Sequence, residues 1–189
     1  MTHILSAVSS ALLAPSVLHA PTAIAHDPAT VPDASGIYGW WFDEHLPVVP
    51  REGALRRGSW CLLYVGIAPN GARRTSGKRT LRDRLKNHCR GPMASSTLRR
   101  TVAALTVSAL GYSIVRTGAN KLRMPPEDEQ RLSLWLGEHA RVSWVLHDQP
   151  WEVETQLVQS GPRLPMNISQ SSDPFRRELS KLRSGLGRR

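Results

Sequence analysis

Three ionisable residues fall on faces that the helical spacing reserves for apolar side chains. Between Leu81 and about Cys89, Leu81, Arg84, Leu85 and His88 lie at i, i+3, i+4 and i+7, one face of a helix. Leu81 and Leu85 belong in a core; Arg84 and His88 sit on the same stripe. A polar group packed there needs a partner, because burying it unpaired is costly. Two chemistries meet that need: a structural ion pair, or a phosphate site at a sheet edge. Further along, Trp151, Glu154, Leu157 and Val158 fall at i, i+3, i+6 and i+7, so Glu154 is a carboxylate on an apolar stripe, whereas Glu152 points elsewhere. Such a carboxylate requires a cation, either an arginine or a metal ion.

The elements that must position these groups are readable in turn. Gly36 to Phe42 follows a Pro-Asp-Ala-Ser turn and reads as a strand. Residues 43 to 60, with Pro47, Pro50, Gly53 and Gly58, read as an excursion before a second strand, Cys61 to Ile67. Thr80 caps the Arg84 helix. Ser95 or Ser96 caps a second helix reaching Leu110, with Leu98, Val102 and Leu105 on one face, and Gly111 stops it. A hairpin is expected around 112–124. A third helix follows Pro125-Pro126, where Glu127, Asp128 and Glu129 suit its positive end. Arg141 to His147 alternates as a third strand. Pro150 opens the Glu154 helix. Short helices are expected near Ile4 to Leu13 and from Asp173 to Leu186, the latter basic and resting on Phe175, Leu179 and Leu182.

At 189 residues with a net charge of +10 and a pI near 10.7, the chain fits one domain with appendages and favours polyanionic partners. Between Glu52 and Glu127 the sole carboxylate is Asp83. Lys78, Arg79 and Arg82 therefore suit backbone phosphates. Cys61 and Cys89 make neither a metal motif nor a disulfide framework, and no histidine pattern marks a zinc site. No run is long and apolar enough to span a membrane. Ala-Ile-Ala before His26 mimics a cleavage site, but no Lys or Arg precedes Arg51 and Pro15 breaks the apolar run. The expectation is a cytoplasmic protein with no membrane partner.

Gly36-Ile37-Tyr38 followed by Tyr64-Val65-Gly66 resembles the paired signature of the GIY-YIG nuclease family. Leu81-x-x-Arg84-Leu85 resembles the family's helix with its arginine. His88 matches a position where some members, certain restriction endonucleases among them, carry a histidine. Glu154-x-x-Leu157-Val158 and Pro165-Met166-Asn167 resemble the family's Glu-x-x-Leu-Ile helix and closing asparagine. Arg99-Arg100, Glu138-His139-Ala140-Arg141 and the tail are similar to bacterial members. The likeness covers roughly residues 31 to 170. The interval between Tyr38 and Tyr64 is longer than the family's usual hairpin loop, and the region from Ser95 to His147 is larger than a minimal domain.

The resemblance implies an α+β fold: a small three-stranded antiparallel sheet flanked by helices, with N- and C-terminal helical extensions at 1–30 and 171–189. It implies a metal-dependent endonuclease acting on DNA, with RNA left open, through one Mg²⁺ or Mn²⁺. Glu154 would be the metal ligand. Tyr38 would be the general base with Tyr64 hydrogen-bonded nearby, in roles that are exchangeable. A free tyrosine ionises near pH ~10, so cationic neighbours are expected to favour its phenolate. Arg84 would clamp the phosphate. His88 would help deprotonate the tyrosine or contact the phosphate. Gly36, Gly66 and Asn167 would support the site. The alternative is a nucleic-acid-binding module with a nuclease-like fold that is inactive or needs a partner. On purely structural grounds Tyr38 and Tyr64 could be ordinary strand aromatics, and Arg84 and Glu154 a buried ion pair.

Overall fold

The structure, a computed structural model, describes residues 2–69, 80–118 and 121–188. In chain order its elements are α1 (Thr2–Leu13), α2 (Pro21–His26), β1 (Gly36–Phe42), β2 (Arg56–Arg57), β3 (Trp60–Ala68) and α3 (Leu81–Arg90). Then follow α4 (Thr97–Leu110), β4 (Val115–Arg116), β5 (Leu122–Arg123), α5 (Pro126–His139), β6 (Ala140–Leu146), α6 (Pro150–Ser160) and α7 (Phe175–Gly185). The fold is α+β. Its main sheet is antiparallel in the order β2-β3-β1-β6, and β4 and β5 form a separate hairpin. The expected three strands become four, because the excursion after β1 returns through Arg56 and Arg57, which pair with Cys61 and Trp60. Two exposed arginines carry no apolar alternation, so their pairing left no mark in the hydrophobic pattern.

Strand β1 is central and fully buried because both faces of the sheet are covered. Tyr38, Trp40 and Phe42 face one core with Leu85 of α3, Leu98 and Val102 of α4, and Leu132 of α5. Ile37 and Trp41 face the other, with Leu12 of α1 and Val153 and Leu157 of α6. The two faces of a strand alternate with period 2, and GIYGWWF places a large apolar group on each side in turn. No helix among the described residues is long and apolar enough to cross a membrane.

One irregularity sets up the site. Trp41 pairs with Leu62, but Trp40 pairs with Tyr64, so Leu63 is an extra residue on β3. A β-bulge of this kind re-aims the side chains beyond it. Without it Tyr64 would share a face with Leu62, two residues back. With it, Tyr64 opposes Trp40 and joins the face that carries Tyr38. Beyond the short β2, the free edge of β3 is closed by the segment after α6. Met166 N–H donates to Leu63 O at 3.0 Å. Asn167 then takes both backbone groups of Val65, its Oδ1 accepting from Val65 N–H and its Nδ2 donating to Val65 O, each at 2.9 Å. The asparagine stands in for a strand residue where a buried edge could not be left unpaired.

Buried arginine also fixes the helices behind the site. Arg99 is 0% exposed. It donates to Cys89 O on α3 at 3.2 Å, to Ser133 Oγ on α5 at 3.0 Å, and pairs with Glu129 Oε2 at 2.8 Å. It thereby ties α3, α4 and α5 together beside His88.

Candidate active site

Near the start of β1 and at the middle of β3 the strands carry Tyr38 and Tyr64 into a cleft of about 570 Å³. Arg84 of α3, Trp151 and Glu154 of α6, Asn167 and Arg183 of α7 complete its walls. These residues come from six separated stretches of sequence. The two tyrosine rings lie 6.4 Å apart. A larger groove of about 810 Å³ between α4 and α7 is lined by Ala104, Val107, Ile114, Leu182 and Leu186 together with Tyr112, Arg177, Glu178 and Lys181, and takes in none of Tyr38, Tyr64, Arg84 and Glu154.

Close approach explains the glycines. Tyr38 pairs across the sheet with Gly66 and its ring lies over that residue. A Cβ on Gly66 would stand 2.6 Å from Tyr38 Oη and 2.7 Å from its ring carbon Cζ. At Gly36 a Cβ would stand 2.4 Å from Val145 O. Gly66→Ala is therefore expected to push the Tyr38 ring aside. It should cost about 1–3 kcal/mol in chemical denaturation, the range for overpacking. Unchanged stability would mean that the ring has room to move.

Behind Tyr38 lies a buried polar chain. Tyr38 Oη and His88 Nε2 are hydrogen-bonded at 2.8 Å, and His88 Nδ1 and Ser96 Oγ at 2.7 Å. Ser96 is the N-cap of α4 and accepts from Arg99 N–H at 3.1 Å. His88 is 1% exposed and lies outside the cleft wall, with Trp40 edge-on at 6.1 Å. When Tyr38 donates its O–H to Nε2, the Nδ1–H of His88 donates to Ser96 Oγ. The predicted stripe of α3 is thus real, but its two polar members face different surroundings.

Electrostatics at the cleft run against easy ionisation. Burial raises Tyr38 well above its ordinary value, the neighbouring Tyr64 adds to that, and Arg84 pulls the other way. Burial raises Tyr64 as well, again opposed by Arg84. The expectation that cationic neighbours favour a phenolate is thus reversed in net direction, since desolvation outweighs the arginine. Burial also raises Glu154 to about 7, with Arg84 lowering it only in part. Among the described residues Glu154 has no hydrogen bond and no ion pair, and Arg84 Nε is buried without a hydrogen-bond partner. The two charges share the cleft but do not pair. The core face of α6 is Pro150, Val153 and Leu157, so Glu154 lies at its margin, facing the cleft, and Glu152 is not among the lining residues.

The family described as GIY-YIG catalytic domain matches residues 36–185. The chain belongs to the GIY-YIG family. Neither a curated protein nor a solved structure matches it. The match spans the whole cleft of this GIY-YIG domain, from Gly36 through Arg183 on α7.

Sequence reasoning missed Arg183, Trp151 and Ser96 as parts of the site. Ser96 was legible as a cap. Arg183 carried no signal beyond a basic tail. Of the residues expected to hold phosphates, Lys78 and Arg79 lie outside the described residues. Arg82 donates through Nε to Val31 O at 2.9 Å and lies 3.7 Å from Asp33. One cluster among the described residues has metal-ligating types, Asp43, His45 and His139, with ligand atoms within 4.8 Å of one another. It lies past the far end of β1, five residues from Tyr38, or about 16 Å at ~3.3 Å per strand residue. Asp43 Oδ2 is 3.0 Å from His139 Nδ1, so these groups satisfy one another.

Proposed function

We propose that this GIY-YIG domain is a metal-dependent endonuclease that hydrolyses phosphodiester bonds in DNA. One observation carries the reading: a tyrosine hydroxyl backed by a buried histidine, an arginine with no ion pair and an unpaired carboxylate all open on one cleft. The +10 charge supports a polyanionic substrate. Cys61 and Cys89, both free and buried, support a reducing compartment, the cytoplasm.

Glu154 fits a divalent cation such as Mg²⁺ or Mn²⁺. It is a partly desolvated carboxylate raised to about 7 with no protein partner, and a single carboxylate suits an ion that keeps most of its waters. Such an ion, when bound, supplies charge neutralisation at the phosphate and eases ionisation of a water. The chain's own residues do the rest. Arg84, in the cleft wall and without an ion pair among the described residues, holds a non-bridging oxygen and stabilises charge that builds in the transition state. Tyr38 Oη takes the proton of the attacking water as its own proton passes to His88 Nε2. A phenolate never has to stand free in the buried site, which reconciles a base role with the raised Tyr38 value. Ser96 Oγ, accepting from Nδ1–H, holds the ring in the tautomer whose Nε2 is free to receive that proton. The burial of His88 supports this proton-accepting role over direct contact with phosphate.

Supercoiled plasmid and labelled duplex, single-stranded and branched DNA, each incubated with Mg²⁺ or with EDTA, test the proposal. Cleavage is expected with Mg²⁺ alone. Tight binding without cleavage in either buffer would favour the binding-module reading instead.

A further inference from the structure

Beside the cleft, and sharing Arg183 and Ile168 with it, is a second groove of about 400 Å³ between α4, the β4–β5 hairpin and α7. Arg100, Arg116, Arg183 and Arg188 line it, with Ser180 and Ser184, and no carboxylate is among its lining residues. Arginine charges gathered round one space repel one another unless an anion lies between them. The protein supplies none: among the described residues Arg100, Arg183 and Arg188 have no ion pair, and Arg100 Nε is buried without a hydrogen-bond partner. Arg116 has a different task. Its Nη2 donates to Ser184 O and Leu186 O, which pins the hairpin to α7 and shapes the groove. Burial lowers Arg183 from its ordinary value, and the neighbouring Arg100 charge adds to that against an opposing effect of Tyr64.

We propose that this groove is a second phosphate subsite, in which Arg100 and Arg188 hold the backbone phosphate next to the scissile one and Arg183 bridges the two positions. The proposal rests on the nuclease reading and extends it. The substrate strand runs from the tyrosine cleft toward α7, and the C-terminal helix is part of the nucleic-acid surface. An apolar or zwitterionic ligand would leave the charges of Arg100, Arg183 and Arg188 uncompensated. Consecutive phosphates of one strand suit two grooves that share Arg183 as a common wall.

The test measures binding of a fluorescein-labelled duplex in EDTA over a range of salt, so that no cleavage intervenes. For Arg100→Gln/Arg188→Gln the slope of log K against log salt is expected to flatten by about 1.8, at roughly 0.9 for each phosphate no longer neutralised. Arg188→Gln alone, at an exposed position that cannot disturb the core, should flatten it by about 0.9. Arg100→Lys/Arg188→Lys should restore most of the slope. A wild-type protein that cuts and binds DNA, with an unchanged slope in both Gln variants, overturns the subsite and leaves the nuclease reading intact. A wild-type protein that shows neither salt-dependent binding nor cleavage overturns both.

Discussion

Glu154→Gln is expected to lose Mg²⁺-dependent cleavage by on the order of 10³-fold or more, since several kcal/mol of transition-state stabilisation go with the ion. Duplex affinity in EDTA should stay nearly intact, because only the metal ligand is altered. Glu152→Gln should be nearly silent. The same variant makes a second, opposite prediction for stability. Burial raises Glu154 from 4.5 to about 7 in the folded protein. A group with a raised folded value contributes stability below its unfolded value and loses it as pH climbs through the folded one. In metal-free buffer the wild type should therefore weaken between about pH 4.5 and 7, whereas Gln has no charge to bury. At pH 8 Glu154→Gln should be the more stable by on the order of 2 kcal/mol, with the two converging below pH 4.5. Mg²⁺ should raise the wild-type Tm at pH 8 and leave that of the variant unmoved. Equal Tm values across the whole pH range, with Mg²⁺ ineffective on both, would remove Glu154 as the metal ligand.

Elements governed by local rules were legible in the sequence. β1 runs from Gly36 to Phe42 as read, Thr80 caps α3 with a full capping box, and Gly111 ends α4 in the left-handed conformation. What escaped was set by contacts distant in the chain. The bulge at Leu63 that turns Tyr64 toward Tyr38 is a matter of register between two strands, and nothing in CLLYVG announces an extra residue. The stripe 81, 84, 85, 88 placed Arg84 and His88 on one face correctly. It could not say that Arg84 would reach the cleft while His88 would be sealed between Tyr38 and Ser96. On α6 the apolar face is centred on Val153 and Leu157, so Glu154 lies at its margin, one step round the helix from where strict periodicity puts it. Arg183 enters the cleft only because α7 packs against α4, a docking that no spacing within 171–189 encodes.

Tyr38→Phe is expected to slow turnover by roughly 10²–10⁴-fold, the range for general acid–base catalysis by one group. The ring and its packing over Gly66 remain, and the bond to His88 is lost at about 1 kcal/mol. Affinity in EDTA should hardly change, because the hydroxyl faces a proton acceptor and not a phosphate. His88→Gln should slow turnover by a similar factor if its Nε2 receives the tyrosine proton. Affinity should again be kept, since His88 lies behind the cleft wall. The two groups would then act in one proton transfer, and the double variant should be little worse than the worse single one, as for residues that work as a unit. Arg84→Ala differs in kind. It should cripple turnover and also weaken binding, because a hold on the phosphate goes with it. A third outcome would redirect the chemistry: normal cleavage by Tyr38→Phe with severe loss in Tyr64→Phe. Tyr64 is the other tyrosine hydroxyl at the cleft, half-buried, its ring 6.4 Å from that of Tyr38 and its upward shift opposed by the same arginine. In that case the water would be deprotonated at Tyr64, and the Tyr38–His88–Ser96 chain would serve to hold the strand ends in register.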